Sequence, residues 1–236
     1  MIAQTPVQNR FYQKTPTQQR RFQLRMLALL LGINLPIAVV LVLISPRLFP
    51  LFFVPLAFSF TIVAPFFDVP SLVKKGGLTY HSLFLLAEKP KKDTVTLHGG
   101  TLFDYYFTLE RGWSGQLRTA FILAEYLRGL LSLMEYFPDD MKLRGTSYII
   151  QERTARKVGL HKAPTDGIQV FLLTFNYFNL MASLYLAKGK LTFPNLNRVH
   201  TFEGTIGALR ENEGFIRGML KRLEEGALGK TTQMGN

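Results

Sequence analysis

Leu97-His98-Gly99-Gly100-Thr101, followed by Asp104, is the densest grouping of potentially reactive side chains in this 236-residue chain. An imidazole and a nearby carboxylate suit a general base and the group that orients it. Two glycines after a strand can open backbone N–H groups to an anion or an oxyanion. His98 and Asp104 are therefore the candidate catalytic residues, and Gly99 and Gly100 the candidate anion donors. The plain alternative is a turn that requires glycine, with His98 merely beside it.

A second grouping is Arg144-Gly145-Thr146-Ser147-Tyr148, followed by Glu152, Arg153 and Arg156. Guanidinium groups offer planar forks of donors that match phosphate or carboxylate. Arg144, Ser147 and Arg153 join the candidate anion site on that ground. The plainer and favoured alternative has Thr146 and Ser147 capping local backbone and the arginines facing water. A third grouping, Gln169, Asn176, Asn179 and Ser183, is spaced by seven, three and four residues. That spacing draws a polar stripe along one helix face. Such amides bind a polar ligand or, more commonly, neighbouring backbone.

Several chemistries lack their residues. The chain has no cysteine, which removes disulfides, thiol nucleophiles and cysteine-ligated metals. His81, His161 and His200 are isolated in sequence, and no His-Glu-x-x-His pattern is present, so no metal site is expected. Neither a P-loop nor a Gly-x-Gly-x-x-Gly turn occurs, and no cofactor is expected. Ser147 is not in a Gly-x-Ser-x-Gly elbow. The missing motifs favour a non-catalytic interaction or assembly component. The alternative is a membrane-tethered hydrolase or transferase acting on a phosphorylated or lipid-linked substrate. That alternative requires His98, Asp104, Arg144 and Arg153 to converge.

The elements that must position these residues begin with a hydrophobic block. From Met26 to Pro46, and again from Leu48 to Phe67, no residue is charged. About 20 apolar residues at about 1.5 Å per residue span a hydrocarbon core of about 30 Å. The short break at Pro46–Arg47 forces the two helices to run antiparallel. A cleaved signal peptide is a poorer fit, because its apolar region is shorter and ends in a cleavage site. A hairpin dipping into one leaflet is the other alternative, since Pro36, Pro50, Pro55 and Pro65 each remove a backbone donor.

Arg10, Lys14, Arg20, Arg21 and Arg25 precede the first segment, Lys74 and Lys75 follow the second, and only Arg47 lies between them. The positive-inside rule places both termini in the cytoplasm. Half of the net charge of +12 belongs to this membrane region. It points to anionic headgroups as partners and argues against nucleic acid; a membrane or cytoplasmic protein partner is also expected.

The expected fold is thus a membrane protein: a two-helix N-terminal transmembrane hairpin and a mixed α+β, mostly helical, cytoplasmic domain. The expected divisions are a basic, disordered arm (1–25), a hairpin (26–67, with spans 26–46 and 48–67), a linker (68–77), the domain (78–226) and a disordered tail (227–236). Within the domain, strands are expected at Leu78–Ala87, Thr94–Leu97 and Ser147–Ile150. Leu102–Leu109 is left open between strand and helix. Ser114 reads as the N-cap of a long helix, with Leu117, Phe121, Ala124, Leu127, Leu131 and Met134 inward. Glu152–Val158 has helix-forming composition. Gly167–Ala187 is expected as a central buried helix; a strand pair turning near Asn176–Asn179 and a third membrane span are the alternatives. A final amphipathic helix is expected over Glu203–Glu225.

Overall fold

The computed structural model describes residues 9–147, 150–196 and 199–232. Helix α1 (Pro16–Ile44) starts where Thr15 and Gln18 exchange side-chain and backbone hydrogen bonds, with Pro16 in the first helical position. A 3-10 segment (Pro46–Phe52) leads into α2 (Phe53–Val63). Pro16–Ile44 and Pro46–Val63 are the two helices long and apolar enough to cross a membrane among the described residues.

The second stretch ends at Val63, four residues before the expected boundary. Pro65 has no N–H to donate to the Thr61 carbonyl, and the chain turns into α3 (Pro65–Lys74). This helix replaces most of the expected linker: Phe66 and Val69 are buried, and Gly76, at φ 69°, ends the turn that follows it.

For residues 9–25 the expected disorder of the basic arm is also corrected; residues 1–8 of the arm lie outside the described residues. Arg10 donates to the carbonyls of Phe107 and Leu109, both at 2.8 Å, and Phe11 is buried. Those carbonyls end α4 (Leu102–Thr108), so the arm supplies donors that the helix lacks. The segment left open between strand and helix is therefore helical.

Among the described residues six strands form one sheet in the order β1-β2-β3-β4-β6-β5. They are β1 (Leu78–Ser82), β2 (Leu85–Glu88), β3 (Thr94–Gly99), β4 (Lys142–Ser147), β5 (His161–Ala163) and β6 (His200–Thr205). Of these, β3 and β4 pair in parallel, and their crossover carries α4 and α5 (Gly115–Tyr136), the latter capped by Ser114 as expected. Alternation sorts the strands into two faces. Val95, Leu97, Leu143 and Phe202 enter the main core with α5 and with Ile206 and Leu209. Thr96, His98, Arg144 and Thr146 point to the other face.

The Glu203–Glu225 expectation is corrected to a strand and two helices. His200–Thr205 is the antiparallel partner of β4; Thr205 then caps α9 (Ile206–Glu211), which Asn212 separates from α10 (Glu213–Thr232). The helical spacing of Ile206, Leu209 and Ile216 is real, but the strand before it lies hidden in polar residues. The strand expected at Ser147–Ile150 falls partly on residues 148 and 149, outside the described residues; the strand itself lies earlier. Helix α10 continues past the expected start of the tail, whose last residues, 233–236, are also outside the described ones.

Gly167–Ala187 is not one buried helix. It breaks into α7 (Gly167–Phe175) and α8 (Tyr177–Lys188), bent by 66°. No residue of α7 is buried, whereas Asn179, Ser183, Leu184 and Ala187 of α8 are. The last helix to be placed, α6 (Glu152–Lys157), matches its expected position.

Candidate functional site: an apolar cavity beside the membrane helices

A cavity of about 620 Å³ lies where the ends of β3 and β4 approach α3, α5, α7 and α8. Its size falls within the common range for small-molecule sites, about 300–1,000 Å³. Leu97 and Leu143 supply part of the wall from the sheet; Val69 and Leu72 supply it from α3, and Leu173 and Leu180 from α7 and α8. The polar groups on its wall include Glu88, His98, Arg144, Thr146 and Ser147. The cavity is thus bounded mostly by apolar side chains, and Asn176, Asn179 and Ser183 of the polar stripe also line it.

The sequence groupings reach this site, though not as one constellation. His98 does not meet Asp104. Its Nε2 lies 2.8 Å from Glu88 Oε1 on the neighbouring strand. Partial burial alone would raise the Glu88 carboxyl, but hydrogen bonds from His98 and Lys91 hold it below the ordinary glutamate range. Glu88 was missed as a partner. Its signal was the hairpin itself, because the Lys89–Asp93 turn folds β2 back against β3.

Asp104 is fully buried beneath the aromatic joint. It accepts from the Thr101 N–H and hydroxyl, from the Tyr80 hydroxyl and from Asn9 Nδ2. Burial pushes its carboxyl up to about 6, against the lowering effect of the bonds from Tyr80 and Thr101. Asp104 closes a capping box at the start of α4 and does not line the cavity.

The glycines, both on the cavity wall, serve close packing. A Cβ on Gly99 would come within 2.4 Å of the Tyr126 hydroxyl, and one on Gly100 within 2.5 Å of the Phe84 ring. The Gly100 N–H donates to the Phe84 carbonyl at 2.9 Å, so that donor is already engaged. Arg144 pairs with Glu203 across the β4–β6 ladder at 2.7 Å. The Ser147 hydroxyl accepts from the Ile150 N–H, and Arg153 is exposed on α6. Of the four side chains that the enzyme reading required to converge, His98 and Arg144 share the cavity wall, whereas Asp104 and Arg153 do not line it.

The polar stripe bonds mostly to backbone. Asn176 Nδ2 donates to the Leu172 carbonyl at the bend, and the Ser183 hydroxyl to that of Asn179. Gln169 accepts from the Thr146 hydroxyl and so holds α7 to β4. Asn179 Nδ2 donates at 2.8 Å to the Thr61 carbonyl, the one that Pro65 leaves without a helical donor. Gln23 Nε2 does the same at 3.1 Å for Phe66, four residues before Pro70. Two side-chain amides thus stand in for two missing proline N–H groups, and each fastens one helix to another.

Among the described residues no three His, Asp or Glu side chains cluster as a metal site requires. No family model matches the chain, and no curated protein or solved structure does.

Proposed function

We propose that this chain is a multi-pass membrane protein with both termini cytoplasmic, and that it holds a membrane amphiphile, without chemical change, in the cavity beside its anchor. The observation that carries the reading is the cavity itself: apolar walls from the sheet and from membrane-adjacent helices, and a rim of Glu88, His98 and Arg144. An acyl chain suits the walls and a polar headgroup suits the rim.

The two apolar helices and their basic flanks support the membrane placement. Arg20, Arg21, Arg25, Lys74 and Lys75 are all exposed and are free to meet anionic headgroups. The arm supports the shared side. Arg10 and Phe11 dock against α4, so a bilayer crossed by α1 must be recrossed before Leu102. A protein partner then binds the loaded form, consistent with an assembly role.

The test is photo-crosslinking of the full chain in vesicles that contain a diazirine-tailed phospholipid. Adducts are expected on Leu97, Leu173 and Leu180, and Leu180→Trp, which narrows the cavity, should reduce those on Leu97 and Leu173. Adducts confined to the outer surfaces of α1 and α2 would overturn the reading.

One observation favours a second reading, a membrane-tethered enzyme acting on a lipid-linked or phosphorylated substrate. His98 lines the cavity with its imidazole held by Glu88, as a general base would be. Release of phosphate from phosphatidate vesicles, abolished by His98→Gln, would establish it.

A further inference from the structure

Helix α7 is the most conspicuous apolar surface outside the two span-length helices. Ile168 and Phe171 are each 66% exposed, and Leu172 and Phe175 are also exposed. A soluble domain rarely leaves such a run bare. The inner side of the same helix faces the cavity through Leu172 and Leu173. Helix α7 is therefore a thin wall between the cavity and whatever covers its outer face.

The surroundings say what that cover is. At the bend, Phe178 packs edge-on against Phe58 of α2, with ring centroids 4.7 Å apart, and Asn179 bonds the Thr61 carbonyl. Phe58 and Phe60 of α2 are themselves exposed. The apolar surface of α7 thus runs on from that of a membrane helix. No Asp, Glu, Lys or Arg falls between Asp166 and Lys188.

The segment is nonetheless not a third crossing. Helix α7 is about 14 Å long and α8 about 18 Å at the helical rise, each short of a core of about 30 Å. Both ends are also tied to the domain. The Thr165 hydroxyl accepts from the Thr201 N–H, and Gln169 from Thr146. At the far end the Arg118 guanidinium donates to the Leu186 carbonyl at 2.8 Å.

We infer that α7 lies in the bilayer interface with Ile168, Phe171 and Phe175 among the lipid tails, and that it forms the doorway through which a membrane amphiphile reaches the cavity. This rests on the membrane placement proposed above. A bent, uncharged helix pinned at both ends leaves the cavity separated from lipid by one helix thickness. The amphiphile then transfers sideways past Leu172 and Leu173, without passing through water.

Trp113 is the only tryptophan, so a single fluorescent reporter is accessible. In a Trp113→Phe background, Phe171→Trp is compared with Leu43→Trp on α1 and Lys221→Trp on α10. Each full-length variant is reconstituted into phosphatidylcholine vesicles with brominated acyl chains. The probe introduced by Phe171→Trp is expected to be quenched several-fold more than the one at 221, and chiefly by bromines near the headgroups. The probe at 43, at the turn end of α1, should be quenched as well. Loss of quenching at 43 would sink the membrane placement. Quenching at 43 without quenching at 171 would sink the doorway alone. Emission at 171 that varies with protein-to-lipid ratio and ignores bromine would show that a second copy covers α7, and would also overturn the inference. For passage itself, Leu172→Glu is expected to slow loading from vesicles while Lys221→Glu leaves the rate unchanged; equal rates would overturn the doorway.

Discussion

The sheet meets the surrounding helices in two places, and the two are built on opposite principles. Around β1 and the start of α4, Phe11, Phe22, Phe66, Phe103 and Phe107 pack with centroid separations between 5.0 and 6.3 Å. That joint is filled. Around the ends of β3 and β4 the same sheet faces α7 and α8 across an open volume. The chain plainly has the means to fill such a space, since it does so a few residues away. The hollow is therefore a property of one region and does not follow from poor packing in general. It also shows that the domain is not a cargo on a string. Its aromatic joint borrows residues from before, within and after the apolar helices.

Removing that borrowed surface is expected to have the largest effect. A fragment of residues 76–236 loses Phe11, Phe66 and Val69, all buried, and should aggregate or lack cooperative unfolding without detergent. A soluble fragment with a sharp thermal transition would break the contrast drawn here. Next in size, Phe103→Ala in the full chain should cost about 3–5 kcal/mol in denaturant titrations in micelles. Leu173→Ala on the cavity wall should cost less than about 1 kcal/mol, because its site is already partly empty. Similar costs at the two sites would show that the hollow is filled by its own side chains in solution.

The amide fasteners come third. Asn179→Leu leaves the Thr61 carbonyl without its donor and should cost about 1–3 kcal/mol. Pro65→Ala restores a helical N–H for that carbonyl, so in that background Asn179→Leu should cost distinctly less. Additive costs in this double-mutant cycle would show that the bond does not couple the two residues.

The smallest effect concerns pH. Asp104 titrates near 6 in the fold and at its ordinary value of 3.8 when unfolded. The folded chain therefore binds more protons between those values. This contribution favours the fold fully below about 4, and it is lost as pH climbs through about 6. The Asp104 contribution should therefore grow as pH is lowered from 7 to 5, and it is read as the difference in micellar stability between the parent chain and Asp104→Asn. A difference that does not change with pH would show that Asp104 makes no such contribution. His81 acts in the opposite sense over the same range: burial lowers it to about 4, so the unfolded chain takes up that proton first and the fold loses stability as pH falls below 6.5.

What was legible in the sequence follows from the range of the interactions. The two apolar runs, the Ser114 cap and the stripe of α5 are local patterns and needed no tertiary information. The arm was not legible as structure. Its polar composition resembles a disordered tail, and the acceptors that order it lie some hundred residues away. β6 was obscured for a similar reason: His200 to Thr205 alternates only weakly, and its pairing with β4 is a long-range fact. At the site, His98, Gly99 and Gly100 were found because they mark a strand end, and Arg144 because of the hydroxyl and guanidinium groups around it. Their partners, Glu88, Tyr126, Phe84 and Glu203, were not legible because they sit on other elements. The roles of Asn179 and Gln23 were hidden in the same way, since each depends on a proline elsewhere in the chain.

The arm has a consequence for the order of events during synthesis. Arg10 and its acceptor Phe107 are 97 residues apart in sequence. At about 5–20 residues per second, the acceptor is made roughly 5–20 s after the donor. In that interval both apolar helices emerge, while Phe11 still lacks the rings of Phe103 and Phe107. The arm around Arg10 can therefore settle only after α4 has been made.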